Sequence, residues 1–257
     1  MIIRTDWVLR PIETVNLPRS YRLALVKDLH ERMGLSLGGE KIPSTRFSGL
    51  IGARGRGDFV TFEAGQFYSL SLSGLSERAA KAVNSLDLGE EIDCVGGRFV
   101  VCEQLQQSTA YEALYQHKVA NEPEPTYRHI LRFETPTSFA QKGLYLPLPV
   151  PDLMLRSWLT SWNHFAPVYL GGDELLGYLE EVLAISRHRL QTSSLQVHKG
   201  WITGFTGEVT LTLLRRTDPL LTQVVSLLLA YAEFCGTGMK PRLGMGRTRI
   251  IRPYTDS

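Results

Sequence analysis

The sequence predicts an α+β protein built from two β-α-β-β-α-β units in tandem. Segments with strand-like alternation and segments with helical periodicity follow one another in that order from residue 2 to residue 105. The same order returns after residue 126 with one added helix, and 257 residues suffice for two domains of about 100–150 residues each. This order is that of the ferredoxin-like fold, which RRM-type modules share. We expect domains at residues 1–115 and 116–257.

The first unit is defined by alternating apolar residues in its strands and by 3.6-residue periodicity in its helices. Pro18 suits the start of the first helix, Gly34 suits its end, and Ser76 is the expected cap of the second helix. The predicted strand, helix, two strands, helix and strand cover residues 2–9, 18–33, 46–51, 66–72, 76–86 and 98–105. A polar segment over residues 106–126 contains Pro123 and Pro125 and is predicted to be a linker.

The second unit repeats this plan with two helices where the first unit has one. Asp173 is the expected cap of the second of these helices. Asp218 and Pro219 start a long apolar helix, and Gly236 ends it. The predicted strand, two helices, strand pair, helix and strand cover residues 127–133, 153–165, 175–185, 195–202, 208–214, 219–235 and 247–251.

Composition limits the possible functions only loosely. The hydrophobic fraction of 43% is ordinary for a globular protein, and a net charge of +2 does not by itself identify a nucleic-acid-binding protein. The cysteines Cys94, Cys102 and Cys235 have neither zinc-site nor disulfide spacing, so we expect buried thiols in a reducing cytosol. The first residues lack the apolar run of a signal peptide, and no apolar run of about 20 residues could span a membrane. We therefore expect a cytoplasmic protein.

The strongest chemical signal is a glycine-rich turn, GTGMKPRLGMGR, between the last helix and the last strand. Glycines allow positive φ and close approach to a ligand, and successive N–H groups can bind an anion. The turn lacks the G-K-[ST] of a Walker loop, and Pro241 excludes a dinucleotide fingerprint. Phosphate binding and a merely structural connection both remain open. The candidate phosphate-binding residues are Gly236, Gly238, Lys240, Arg242, Gly244, Gly246 and Arg247.

Three motifs occur in order between residues 200 and 249: GFTGEVT at 204–210, the long apolar helix, and the turn that closes with GMGR at 244–247. Weaker motifs are FETPTSF at 133–139 and the segment 44–52. This pattern resembles the CRISPR-associated endoribonucleases of the repeat-associated mysterious protein superfamily, which process CRISPR precursor RNA. The resemblance implies tandem ferredoxin-like domains and repeat RNA as the partner.

The resemblance also implies a reaction and a site. In that family a ribose 2′-OH attacks its own 3′-phosphate without a metal or cofactor, leaving a 2′,3′-cyclic phosphate and a 5′-OH. The family's catalytic histidine lies on or just after the first helix, where His30 stands, and Lys27 on the adjoining face is a candidate charge stabiliser. Many members have a second histidine, tyrosine or lysine in the following loop. This loop has no histidine or tyrosine and offers Lys41, Ser44, Thr45, Arg46 and Ser48 instead, and Tyr21 is a further candidate for the second group. Slow catalysis with one histidine is the other alternative. The alternative for His30 is packing against the second domain.

Basic residues beside the predicted hairpin, Arg187, His188 and Lys199, are further candidates for RNA contact, although each is equally typical of a solvated face. Two functional classes remain open. The first is an enzyme that cleaves the repeat and retains the product's 3′ end within an effector complex, which the His30–Lys27 pair favours. The second is a non-catalytic RNA-binding subunit of such a complex, which the missing second histidine favours. Other effector-complex subunits are expected partners in either case.

Overall fold

The computed structural model describes residues 1–197 and 200–251. This part of the chain forms two compact units. The first unit comprises Met1–Ser108, Leu195–Ile202 and Lys240–Met245, and the second comprises Thr109–Ser194, Thr203–Met239 and the chain from Gly246 onward. The division expected between residues 115 and 116 stays a prediction.

The first unit contains a five-stranded sheet in the order β3-β6-β1-β8-β7 and a smaller sheet in the order β2-β5-β4. In the larger sheet, the strand order follows the ferredoxin-like arrangement, with β7 added at one edge. The elements are β1 (Ile2–Pro11), β2 (Val15–Pro18), α1 (Tyr21–Arg32), β3 (Thr45–Ile51), β4 (Arg54–Arg56), β5 (Phe59–Phe62), β6 (Tyr68–Gly74), α2 (Glu77–Asn84), β7 (Glu91–Cys94) and β8 (Gly97–Thr109).

The core of the first unit is built around Phe62, whose ring lies edge-on to three other rings at centroid distances of 5.0–5.5 Å. Tyr21 of α1 is one of these rings, so the first turn of α1 is fixed against the core. Leu25, Val26 and Leu29 continue the buried stripe of α1. Ser76 caps α2 as expected, because its side chain accepts a hydrogen bond from the N–H of Ala79.

The second unit has a four-stranded sheet in the order β12-β13-β9-β14. This order repeats that of the first unit, and the predicted fold class of two ferredoxin-like domains is confirmed. The elements are α3 (Tyr111–Tyr115), β9 (Arg128–Thr137), β10 (Phe139–Gln141), β11 (Leu144–Leu146), α4 (Pro151–Phe165), α5 (Asp173–Val182), β12 (Leu183–Val197), β13 (Gly200–Leu213), α6 (Pro219–Cys235) and β14 (Thr248–Ile251). A π-helix over Gln116–Ala120 continues α3.

The prediction that residues 106–126 form a linker is wrong. β8 extends to Thr109, and α3 follows at once. Tyr111 is buried because its ring packs 5.3 Å from that of Trp162 and 5.8 Å from that of Tyr231. A single large aromatic residue therefore fixes a segment whose composition is otherwise polar.

Two predicted details of the second unit also need correction. The predicted strand 195–202 includes the end of β12 and the start of β13, because β12 already begins at Leu183, directly after α5, and ends at Val197. Polar residues on both faces of β12 conceal the alternation of a strand. The cap of α5 is Gly172, while Asp173 in the first turn pairs with Arg156 at 2.9 Å. At α6, by contrast, Asp218 caps the helix by accepting from the N–H of Leu220.

The cysteines divide between core and surface. Cys94 and Cys235 are buried as expected, whereas Cys102 is exposed, so the prediction is wrong for Cys102. Cys102 lies on β8, where the strand passes beyond the buried part of the sheet. Within the described part of the chain, no helix has the length and apolar character needed to cross a membrane.

Candidate functional site

The first unit contains all four residues predicted to act in catalysis, and α1 supplies three of them. His30 lies in the last turn of α1 and is only 2% exposed. Its Nδ1 lies 2.8 Å from the carbonyl oxygen of Val26, and its Nε2 lies 2.9 Å from Oγ1 of Thr45. Since a carbonyl only accepts, Nδ1 carries the proton, and Nε2 accepts from the Thr45 hydroxyl.

Burial is the main cause that lowers the pKa of His30, and the nearby charge of Arg242 lowers it further. The Val26 carbonyl acts in the opposite direction because it stabilises the protonated ring. The imidazole is therefore neutral at pH 7 and has the protonation state of a general base. Both ring nitrogens are, however, occupied by protein partners, and contact with a substrate requires the Thr45 hydrogen bond to be exchanged.

Tyr21 and Ser48 are also buried and have structural partners. The Tyr21 hydroxyl donates to the carbonyl of Leu50 at 3.3 Å, and burial raises its pKa. Ser48 Oγ donates to the carbonyl of Gly49 at 2.6 Å and accepts from the N–H of Ser71 at 2.8 Å. These bonds fasten the irregular part of β3, where its pairing with β6 shifts register. Neither hydroxyl is free to act as the second acid–base group in this arrangement.

Lys27 differs from the other three predicted catalytic residues because it is exposed. It lies on α1, three residues before His30, as expected. The structure thus brings Lys27 and His30 to one helix but leaves only the ammonium group accessible. Lys27 can meet an anionic group without any rearrangement of the core.

The central part of the glycine-rich turn, Lys240–Met245, belongs to the first unit. Arg242 is buried, forms an ion pair with Glu40 and donates to the carbonyl of Leu37 at 2.7 Å. Glu40 in turn accepts from the backbone N–H of Ser44 at 2.8 Å and from its hydroxyl at 2.7 Å. Arg242 therefore holds the segment between α1 and β3. Lys240, with φ of 53°, is the exposed cation of this part of the turn.

The glycines of the turn have a structural explanation in their own backbone contacts. Gly244 has φ of 96°, and a Cβ there would lie 3.1 Å from the carbonyl oxygen of Ser48. In the second unit, Gly246 has φ of 77°, and a Cβ would overlap the carbonyl oxygen of Thr237. The residues from Gly244 to Thr248 are buried. Phosphate binding by these glycines stays a prediction.

The remaining glycines of the turn, Gly236 and Gly238, also lie close to other backbone atoms, and Arg247 is hydrogen-bonded within the protein. A Cβ at Gly236 would lie 2.8 Å from the carbonyl oxygen of Gly246, and one at Gly238 would overlap the carbonyl oxygen of Ser138. The guanidinium of Arg247 donates to the carbonyl of Glu233 at 3.0 Å. Its predicted contact with RNA also stays a prediction.

The basic residues predicted beside the hairpin are only partly described. Arg187 and His188 lie exposed on β12 in the second unit. Lys199 lies outside the described residues. Among the residues that are described, no group of three or more His, Cys, Asp and Glu side chains could hold a metal ion.

Sequence reasoning missed a pocket beside the start of α1, within the first unit. A signal for it exists in the sequence, because Arg19 and Arg22 flank the first residue of α1, where a helix dipole disfavours cations. The guanidinium of Arg19 lies 5.2 Å from the ring centroid of Trp201. The pocket is lined by Ser20, Arg22, Leu23, Gln196, Val197 and Leu243.

Comparison with known proteins finds sequence similarity to one family. Residues 131–248 match the family described as CRISPR-associated endoribonuclease Cas6. A Cas6 from Streptococcus thermophilus is 34% identical over 131 residues, which cover 51% of this chain and 53% of that protein. A Cas6 from Mycobacterium tuberculosis is 29% identical over 125 residues, covering 49% and 39%. The chain thus spans about half the length, or less, of the curated relatives that it matches.

Solved structures extend the likeness over nearly the whole chain. A Cas6 product complex superposes with a TM-score of 0.73 at 23% identity, covering 98% of this chain and 100% of that one. Thermus thermophilus Cas6 gives a TM-score of 0.73 at 22% identity, covering 98% of each chain. At these identities the superpositions show the fold. The sequence matches confirm the resemblance to the Cas6 CRISPR-associated endoribonucleases over about half of the chain, and the superpositions show that the chain shares the Cas6 fold.

Proposed function

We propose that this protein binds CRISPR repeat RNA and cleaves the precursor transcript. The observation that carries the proposal is the agreement between the sequence match to Cas6 endoribonucleases over residues 131–248 and the Cas6 fold over 98% of the chain. Structures that share this fold have been solved as a product complex and as a substrate mimic complex. Repeat RNA is accordingly the proposed substrate, and the cytoplasm the proposed site of action.

The proposed reaction is attack of a 2′-OH on the adjacent 3′-phosphate, without a metal ion. Such a reaction needs a base for the 2′-OH, an acid for the departing 5′-oxygen, and positive charge beside the phosphorane. Neutral His30 is the proposed base, since its depressed pKa keeps Nε2 unprotonated. Exposed Lys27 is the proposed source of positive charge. The products are a 2′,3′-cyclic phosphate and a 5′-OH, and retention of the product within an effector complex is part of the proposal.

One observation favours a second function, a subunit that binds the RNA without cutting it. His30 is 2% exposed, and both its ring nitrogens are hydrogen-bonded to Val26 and Thr45. A base must come within about 3 Å of the proton that it abstracts, directly or through one water. If the His30–Thr45 bond persists when RNA is bound, catalysis through His30 is blocked, and the protein only binds.

A pair of incubations distinguishes the two functions. The purified protein is mixed with repeat RNA from its own genome in excess EDTA, and the products are resolved on a denaturing gel. We expect cleavage at one position, and a 2′-deoxynucleotide at that position should abolish it. Phosphatase alone should leave the 5′ fragment unshifted, whereas mild acid, which opens the cyclic phosphate to a monoester, followed by phosphatase should shift it. A parallel incubation contains Mg²⁺ in place of EDTA. Tight binding without cleavage in both supports the second function, and cleavage only with Mg²⁺ contradicts the proposed reaction.

The role of His30 is tested with a matched histidine. His30→Ala should lower the single-turnover cleavage rate at least about tenfold, since one positioned acid–base group typically contributes about 10²–10⁴-fold. RNA affinity should change little. His129→Ala is the control, because His129 also bonds a backbone carbonyl, that of Thr126 at 2.9 Å, and burial also lowers its pKa. Equal rates for His30→Ala and wild type would remove His30 from the mechanism.

A further inference from the structure

An open pocket lies at the start of α1, and its lining includes none of the residues predicted to act in catalysis. It has a cavity volume of about 100 Å³ and lies between the beginning of α1 and the residues Gln196, Val197 and Leu243. All of its lining residues belong to the first unit.

The side chains of the pocket combine apolar walls with a few polar groups. Leu23, Val197 and Leu243 supply the apolar surface. Gln196 adds a carboxamide, which presents a donor and an acceptor side by side, and Arg22 adds a planar guanidinium. An apolar slot with a carboxamide matches the faces and the edge of a nucleobase, while a guanidinium matches a phosphate.

Arg22 has contacts within the protein, but these contacts do not occupy all of its N–H donors. Its Nη1 donates to the carbonyl oxygen of Ser48 at 3.5 Å, which is a long hydrogen bond. Its guanidinium also lies 5.8 Å from the ring centroid of Tyr21, at the outer limit of a cation–π contact. Because a guanidinium has five N–H donors, this arrangement leaves donors for a ligand.

Trp201, on the short stretch of β13 that belongs to the first unit, is the exposed tryptophan of this protein. It is 47% exposed, whereas Trp7, Trp158 and Trp162 are fully buried. The Arg19 guanidinium lies over its ring, and Nε of Arg19 donates to the carbonyl of Gly57 at 2.7 Å. A half-exposed indole with one fixed cation beside it is a stacking surface of the kind that single-stranded RNA uses.

We infer that this pocket binds one unpaired nucleotide of the RNA. The base enters between Leu23, Val197 and Leu243, Gln196 contacts its edge, and Arg22 contacts its phosphate. The neighbouring base stacks on Trp201. The inference rests on the proposed function in one respect, namely that the chain binds repeat RNA, and it is independent of cleavage.

Tryptophan fluorescence tests the inference directly, since base stacking quenches an indole and three of the four indoles are buried. Repeat RNA is titrated into wild type, Trp201→Ala, Trp201→Phe, Arg22→Gln and the control Arg98→Gln, which removes an exposed arginine of β8. Affinity is measured in parallel by filter binding across a salt series. Circular dichroism checks that every variant is folded.

We expect RNA to quench wild-type fluorescence and Trp201→Phe to lose the quench while keeping affinity within about threefold, because phenylalanine also stacks. Trp201→Ala should bind about tenfold more weakly, and Arg22→Gln should bind more weakly with a flatter salt dependence. Arg98→Gln should match wild type. Wild-type affinity for both Trp201→Ala and Arg22→Gln would overturn the pocket assignment and leave the proposed function intact. Failure of wild type to bind repeat RNA would overturn both.

Discussion

The two ends of α1 are built differently, although the sequence presents reactive or charged residues at both. At the carboxyl end, His30 is enclosed by Val26 and Thr45. At the amino end, Arg22 lines an open pocket, and its neighbour Ser20 is exposed. The difference shows that residue type alone identifies candidates for chemistry, while burial decides which of them a substrate can reach without rearrangement of the protein.

At the carboxyl end of α1, called here the closed end, the contacts that enclose His30 continue into other parts of the first unit. Arg242 of the glycine-rich turn joins Glu40, and Glu40 holds Ser44, the residue before Thr45. The hydroxyl of Thr45 then holds His30. A turn that looks like a phosphate-binding loop in the sequence is, in its described contacts, the outer member of this chain of polar interactions. If this is correct, changes at the closed end alter stability most, and changes at the open end alter RNA binding most.

The largest expected effect on stability is that of Arg242→Ala. Removal of the guanidinium leaves Glu40 without its cation and frees the carbonyl of Leu37. The Arg242 side chain is 9% exposed and that of Glu40 is 43% exposed, so the cost should fall between those of a surface pair and a buried pair, at about 2 kcal/mol. Urea denaturation monitored by circular dichroism measures it.

The control for Arg242→Ala is Arg132→Ala, which breaks an arginine–glutamate pair whose side chains are 55% and 38% exposed. That change should cost less than about 1 kcal/mol. Equal losses in the free energy of unfolding for the two variants would show that the contacts of Arg242 with Glu40 and Leu37 do not persist in solution. Arg242 would then regain its predicted role as a phosphate ligand.

A smaller effect should appear in the pH dependence of stability. The folded state lowers the pKa of His30, mainly through burial, while the unfolded chain binds a proton near the ordinary value of 6.5. His30 therefore stabilises the folded state fully above about pH 6.5, and this contribution is lost as the pH falls toward the depressed folded value. His30→Gln should reduce the fall in urea midpoint between pH 7.5 and 5.5. An unchanged fall would mean that His30 titrates freely and is open to solvent.

Much of the fold could be predicted because its signals are local. Ser76 and Asp218 cap the helices that follow them, and both are visible as short polar residues before an apolar periodic run. β12 was placed too late because its polar residues lie on both faces, so no alternation marks its start. α3 was missed because its one buried anchor, Tyr111, owes its environment to Trp162 and Tyr231, which come later in the chain.

The site could be predicted only as a set of residue types. The partner that closes over His30 is Thr45, fifteen residues later, and Arg242 bonds Leu37 across 205 residues. Such distant contacts leave no periodic signal in one sequence. Arg19 and Arg22 at the start of α1 do leave a signal, because the helix dipole disfavours cations there. This signal can be recognised only when the helix is known to begin at Tyr21.

The smallest expected effect on stability, and the sharpest test of accessibility, is that of Lys27→Ala. Lys27 is exposed on α1, so the change should alter the free energy of unfolding by less than about 0.5 kcal/mol. If its ammonium contacts a phosphate, repeat RNA should bind more weakly, and the slope of log affinity against log salt should flatten by about one.

Lys81→Ala is the matched control, since Lys81 is an exposed lysine on α2 that pairs with Glu77. Scrambled RNA should lose affinity by the same factor as the repeat, because phosphate contacts carry little sequence information. Identical salt slopes for Lys27→Ala and Lys81→Ala would place Lys27 away from the RNA, and the pocket beside Arg22 would then be the part of α1 that the RNA contacts.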